Sequence, residues 1–209
     1  MWNNVWYTNS STLDWSIDKG VTQRFSEEIG AIRALYPGLK KTAEVGHEVW
    51  QGPPKKVQTD KGGVVYVTIR DFWWNETTSN EGRRSPKFVF KVIVEREVYR
   101  EDDPGLFEKF LRAIFNRPSR AGSVSREKVF SNDLVMTFPE FYPLTAPQIN
   151  IRDPRFLGAD PHEHHILNWE ATLCIISGSG DWNANRSNAA MALTVAIDWI
   201  AWHTNKFGW

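Results

Sequence analysis

Residues Phe138–Trp182 read FPEFYPLTAPQINIRDPRFLGADPHEHHILNWEATLCIISGSGDW, and the punctuation of this stretch decides the fold. Just ahead of and into it, Leu134–Phe138 is an apolar strand ended by Pro139, which has no N–H to give to a ladder. Tyr142-Pro143 then turns the chain, Ala146-Pro147 follows, and Ile149–Ile151 reads as a second short strand. A long loop carries His162, His164 and His165 and reaches Cys174, the chain's single cysteine, inside the apolar run LCII. It closes on Gly-Ser-Gly-Asp-Trp before a last helix. One thiol with imidazoles shortly upstream, on irregular backbone, is where nucleophilic chemistry is usually staged. A cysteine between Leu173 and Ile175 is also the pattern of a small buried hydrophobe.

These residues resemble the ubiquitin-conjugating enzyme family. That family reads strand, Phe-Pro-x-x-Tyr-Pro, a later Pro-Pro pair, strand, His-Pro-Asn, then a catalytic cysteine ten residues after the histidine and a tryptophan eight after the cysteine. Here Phe138-Pro139, Tyr142-Pro143 and Pro147 match, His164 stands ten residues before Cys174, and Trp182 stands eight after it. His165 and Ile166 replace the Pro and Asn of His-Pro-Asn, and Ala146 replaces the first proline of the pair. No asparagine therefore stands where the family keeps its oxyanion-stabilising amide. In these departures the chain is similar to divergent bacterial conjugating enzymes of antiphage operons, including those beside cyclic-oligonucleotide synthases. The resemblance covers roughly residues 130 to 204 and is looser upstream, where strand count and helix placement carry it.

The resemblance implies an α+β, ubiquitin-conjugating-like fold. Its parts would be an N-terminal helix, a four-stranded antiparallel meander with an inserted helix before the third strand, and a C-terminal helix. It implies that Cys174 carries the C-terminal carboxyl of a protein as a thioester and passes it to an amine, with no cofactor and no metal. His164 would be the structural histidine of the active-site loop. His162 or His165 would supply a base or polarise the thioester carbonyl, and Asn168 is a second candidate for the missing amide. Asp181 would orient or deprotonate the amine, or simply serve the turn. Trp182, Tyr142 and Pro143 would shape the site. The implied cargo is the C-terminus of a cyclic-oligonucleotide synthase, a nucleotidyltransferase, or else a ubiquitin-like protein, with or without a separate activating enzyme.

Two other readings stand beside this one. A non-catalytic binding module of the same fold fits the missing asparagine and not the retained cysteine. A metal-dependent hydrolase would use the histidine loop, but adjacent His164 and His165 would have to aim at one ion, and His-Glu-x-x-His spacing is missing.

The whole chain sets the bounds. Its 209 residues suit one domain, read as an N-terminal arm over 1–21 and a catalytic domain over 22–209. With 25 basic and 25 acidic residues, neither nucleic acid nor an anionic membrane is the expected partner. A lone cysteine, no secretory leader and no membrane-length apolar run lead to an expectation of a reducing cytoplasm. Eleven tryptophans are scattered without a repeat, and Trp2, Trp6 and Trp15 give the arm aromatic anchors.

In order along the chain, Thr22 is the expected cap of a helix with Phe25, Ile29, Ile32 and Tyr36 on one face, stopped by Pro37-Gly38. A first strand is expected near Val49 and Trp50, before Gly52-Pro53-Pro54. Val64–Trp74 and Phe88–Tyr99 form an expected antiparallel pair, since Phe88, Phe90, Val92 and Val94 alternate with Lys91 and Glu95. An insertion over about 100–128 should hold a helix from Asp103 to Asn116, with Leu106, Phe107, Phe110, Leu111 and Ile114 as its stripe. Ser119–Ser125 is expected to project as a loop. Ser187 is expected to cap a final helix from Asn188 to about His203, with Ala190, Leu193, Ile197 and Ile200 inward. The further C-terminal helices common in eukaryotic members are not expected after Trp209.

Overall fold

A computed structural model describes residues 19–59, 63–78, 84–100, 123–139, 142–156, 159–167, 171–174, 182–183 and 185–207. Helix α1 spans Lys19–Leu35. Among the described residues seven strands follow: β1 (Leu39–Lys41), β2 (His47–Trp50), β3 (Lys55–Thr59), β4 (Gly63–Thr78), β5 (Arg84–Arg100), β6 (Ser123–Thr137) and β7 (Gln148–Arg152). A 3₁₀ turn, Pro154–Phe156, leads to the single-turn helix α2 (Pro161–His164), and helix α3 covers Ala189–Phe207. The molecule is α+β, with every strand pairing antiparallel. Among the described residues no helix is long and apolar enough to cross a membrane.

A meander of β4, β5, β6 and β7 forms the body of the sheet, but the sheet has seven strands, not the four expected. The extra strands arise because β4 is 16 residues long. Its first half pairs with β3 and its second half with β2, with a bulge at Ile69/Asp71 near the change of partner, while β1 continues beyond β2. The breaker Gly52-Pro53-Pro54 thus separates two short strands that share one long one.

Register explains the core. Phe72 pairs with Phe90, Phe90 with Leu134 and Leu134 with Ile151, so one row of fully buried side chains crosses four strands. Two positions away, Trp74, Phe88, Met136 and Ile149 make a second row. One position beyond the first row, on the side away from the second, Asp71, Lys91, Asp133 and Arg152 align as a row of alternating charge on the opposite face. Ile29, Ile32 and Phe25 of α1, and Leu193, Ile197 and Ile200 of α3, close over the apolar rows in one contiguous core. The Phe25 ring lies 5.3 Å from that of Phe88.

Three local expectations are corrected. Thr22 lies inside α1, which is already helical at Lys19, so Thr22 is not its cap. Ser123–Ser125 is strand and not projecting loop, because Ser123 pairs with Arg100 and Ser125 with Val98, extending the β5–β6 ladder. Ser187 does not cap α3. Asn188 does, its Oδ1 accepting the Met191 N–H at 3.0 Å, while the Ser187 hydroxyl turns back to accept from Asn183 N–H. The expected helix Asp103–Asn116 and the arm over 1–18 lie outside the described residues.

Candidate active site

The site is built outward from β7. The segment 171–174 lies along that strand: Ile151 N–H donates to Ala171 O at 3.1 Å, Leu173 N–H to Ile149 O at 2.8 Å, and Asn150 bridges Thr172. The same segment pairs on its other side with 165–167, through Leu167 N–H to Thr172 O at 2.7 Å and Cys174 N–H to His165 O at 2.9 Å. Ile166 and Leu173 form the bridge between these bonds, so His165 and Cys174 are opposite residues of this pairing. Ala171 has φ 55° and His165 has φ 53°, the left-handed region that non-glycine residues enter at a cost.

Alternation then assigns the side chains. Ala171 and Leu173 join the core, while Thr172 and Cys174 take the other face, where the Asn150 amide donates to the Thr172 hydroxyl at 2.7 Å. Cys174 is half-buried. The asparagine position of the resembled motif is occupied by Ile166, only 3 % exposed and part of the core, so nothing there can polarise a carbonyl.

The three loop histidines separate. Asp160 caps α2 by accepting the His162 and Glu163 N–H groups at 2.8 and 3.1 Å, and the Glu163 and His162 bonds hold its carboxyl below the usual carboxylate range. His162 is exposed on this turn. His164 Nδ1 lies 2.8 Å from His203 Nε2 on α3, one nitrogen donating and the other accepting, and its ring packs 4.7 Å from Phe207. His165, opposite the thiol, sets its exposed ring 5.1 Å from Trp202. Burial, then the nearby cations, push His203 down to about 4, so it is neutral near pH 7. Among the described residues no three His, Cys, Asp or Glu side chains gather as a metal site. Asp181 and Asn168 lie outside the described residues.

Tyr142 and Pro143 anchor the chain beyond the cysteine. Trp182 Nε1 donates to Pro143 O at 2.6 Å, and its ring sits 5.8 Å from that of Tyr142. Tyr142 is fully buried and donates its hydroxyl to Glu28 of α1. Glu28 also meets Arg24 Nη2 at 2.5 Å and accepts the Ala189 N–H at 2.6 Å. Burial pushes the Glu28 carboxyl up against the downward pull of Arg24, Tyr142 and Ala189.

Sequence reasoning missed Glu28, Asn150 and His203. For His203 a signal existed, since Trp199, His203 and Phe207 recur four residues apart on one helix face. Neither protein-family models, nor curated proteins, nor solved structures show a match to this chain.

Proposed function

We propose that the chain has a ubiquitin-conjugating-like fold and is an acyltransferase in which Cys174 carries the C-terminal carboxyl of a protein. The Cys174 thiolate attacks the activated carbonyl, the donor's leaving group departs, and a thioester forms. An amine then attacks that carbonyl, the Cys174 thiolate is expelled, an amide forms, and the amine's proton passes to a base, for which His165 is the candidate. No metal or other cofactor takes part.

One observation carries the reading: Cys174 is held half-buried opposite His165, on a segment tied to β7, instead of being sealed in the core. The order of the other parts supports it, with the Tyr142-Pro143 turn receiving Trp182 and His164 fastened to α3. The cargo this favours is the glycine-ended tail of an operon partner, a cyclic-oligonucleotide synthase, with a ubiquitin-like protein as the alternative, for action in the cytoplasm in antiphage defence.

The test is incubation of the purified chain with the activated partner. A covalent adduct that reducing thiol cleaves is expected; Cys174→Ala abolishes it and Cys174→Ser leaves an oxyester resistant to thiol. An adduct indifferent to both substitutions removes Cys174 from the chemistry. Deleting the partner's last residue should eliminate the adduct, and survival would end the dedicated-partner idea alone. The buried Ile166 favours a second reading, a binding module without turnover, for which complex formation without any adduct is the outcome.

A further inference from the structure

With Ile166 in the core, the carbonyl carried on Cys174 needs its hydrogen-bond donor from elsewhere, and the register of β7 supplies one. The bonds Ile151 N–H to Ala171 O and Leu173 N–H to Ile149 O flank the pair Asn150/Thr172, which is therefore the close, non-hydrogen-bonded type. The next pair of that type along the same register is Gln148/Cys174. Cys174 directs its N–H away from β7, to His165 O, as that type requires. Gln148 and Asn150 share the β7 face opposite the buried Ile149 and Ile151, and Gln148 is exposed. The neighbouring pair gives the reach: the Asn150 amide crosses to the Thr172 hydroxyl at 2.7 Å, and glutamine is one methylene longer. Asn150 is committed to Thr172, whereas the Gln148 amide stands at the solvent-facing start of its strand.

We infer that Gln148 is a catalytic residue of the proposed transfer, its Nε2–H donating to the thioester oxygen as the amine attacks. As the nitrogen bonds to the carbonyl carbon, the C=O electron pair moves onto oxygen and is held by that N–H. Collapse re-forms the carbonyl and expels the Cys174 thiolate, and one amine proton leaves to base. The inference rests on the thioester reading.

The experiment loads the full chain with a small alkyl thioester of glycylglycine, follows the Cys174 adduct by intact mass, and measures its discharge onto free lysine. Gln148→Ala should load to completion, keep the wild-type melting temperature, and discharge roughly 10-fold or more slowly. That is less than the ~10²–10³ of a fully dehydrated oxyanion donor, because Gln148 is exposed. Gln148→Glu, the same shape without the N–H, should be at least as slow, and Gln148→Asn should recover part of the rate. Discharge by the Ala and Glu variants within about twofold of wild type overturns the role of Gln148. Failure of the wild type itself to load overturns the thioester reading instead.

Discussion

At His203 the sequence supplies an imidazole and the packing decides its charge. The ring is 2 % exposed, among Phe156, Trp199 and Phe207, with Arg155, Lys206 and His164 adding positive charge and Asp153 opposing them. Its value near 4 lies below the ordinary 6.5, so the unfolded chain takes up this proton first. Stability from this residue is complete above about pH 6.5 and falls as pH drops toward 4. Between pH 7 and pH 5 the loss should be about 2 kcal/mol, from one and a half units of unequal titration. Melting curves of wild type and His203→Gln at both pH values check this: the variant should lose less, and parallel losses would refute it. Single residues were illegible where the partner comes from a distant element. Nothing near His164 in sequence announces His203, and Ser187 and Asn188 are equally good caps until the backbone shows which oxygen faces Met191 N–H.

For the elements, periodicity read the strands well where one face is buried. Phe88, Phe90, Val92 and Val94 all point into the core, as their alternation with charged residues required. Phe90 is stacked on Phe72 at 4.8 Å and sits mid-row, so Phe90→Ala should cost roughly 3–5 kcal/mol in equilibrium urea unfolding. A cost under about 1 kcal/mol would mean that the row does not hold the meander together. Where no face is clearly apolar, periodicity gives no guidance. Ser123–Ser125 reads as loop because serine carries little hydrophobic signal, yet backbone pairing with Val98–Arg100 makes it strand. The same weakness hides β1 and β3, whose lysines give no alternation to count.

At the scale of the whole molecule, Glu28 binds parts that are far apart in the chain: α1 through Arg24, the proline turn through Tyr142, and the start of α3 through Ala189 N–H. A carboxylate at a helix N-terminus satisfies an orphan donor and opposes the helix dipole, which accounts for a buried acid in an otherwise apolar seam. Glu28→Ala takes from buried Arg24 its closest counter-charge and should cost about 3–5 kcal/mol in denaturant titration. Glu28→Gln, which keeps the shape and part of the bonding, should cost less, and equal losses would show that charge is not what matters. The i,i+4 pairing with Arg24 alone could not have named this acid, since its other partners, Tyr142 and Ala189, lie 114 and 161 residues away.

The segment 171–174 has a second consequence, for how the protein keeps to itself. A sheet is open to strand addition only at its margins. At one margin this sheet ends in two short strands, β1 with exposed Lys40 and Lys41 and β3 with exposed Lys56, poor templates for a neighbour. At the other, the Ile151 N–H and the Ile149 carbonyl of β7 are taken up by the very segment that bears Cys174. The stretch that bears Cys174 is therefore also the guard of that margin, and a partner that peeled it away would uncover a strand on which another copy of the chain could grow.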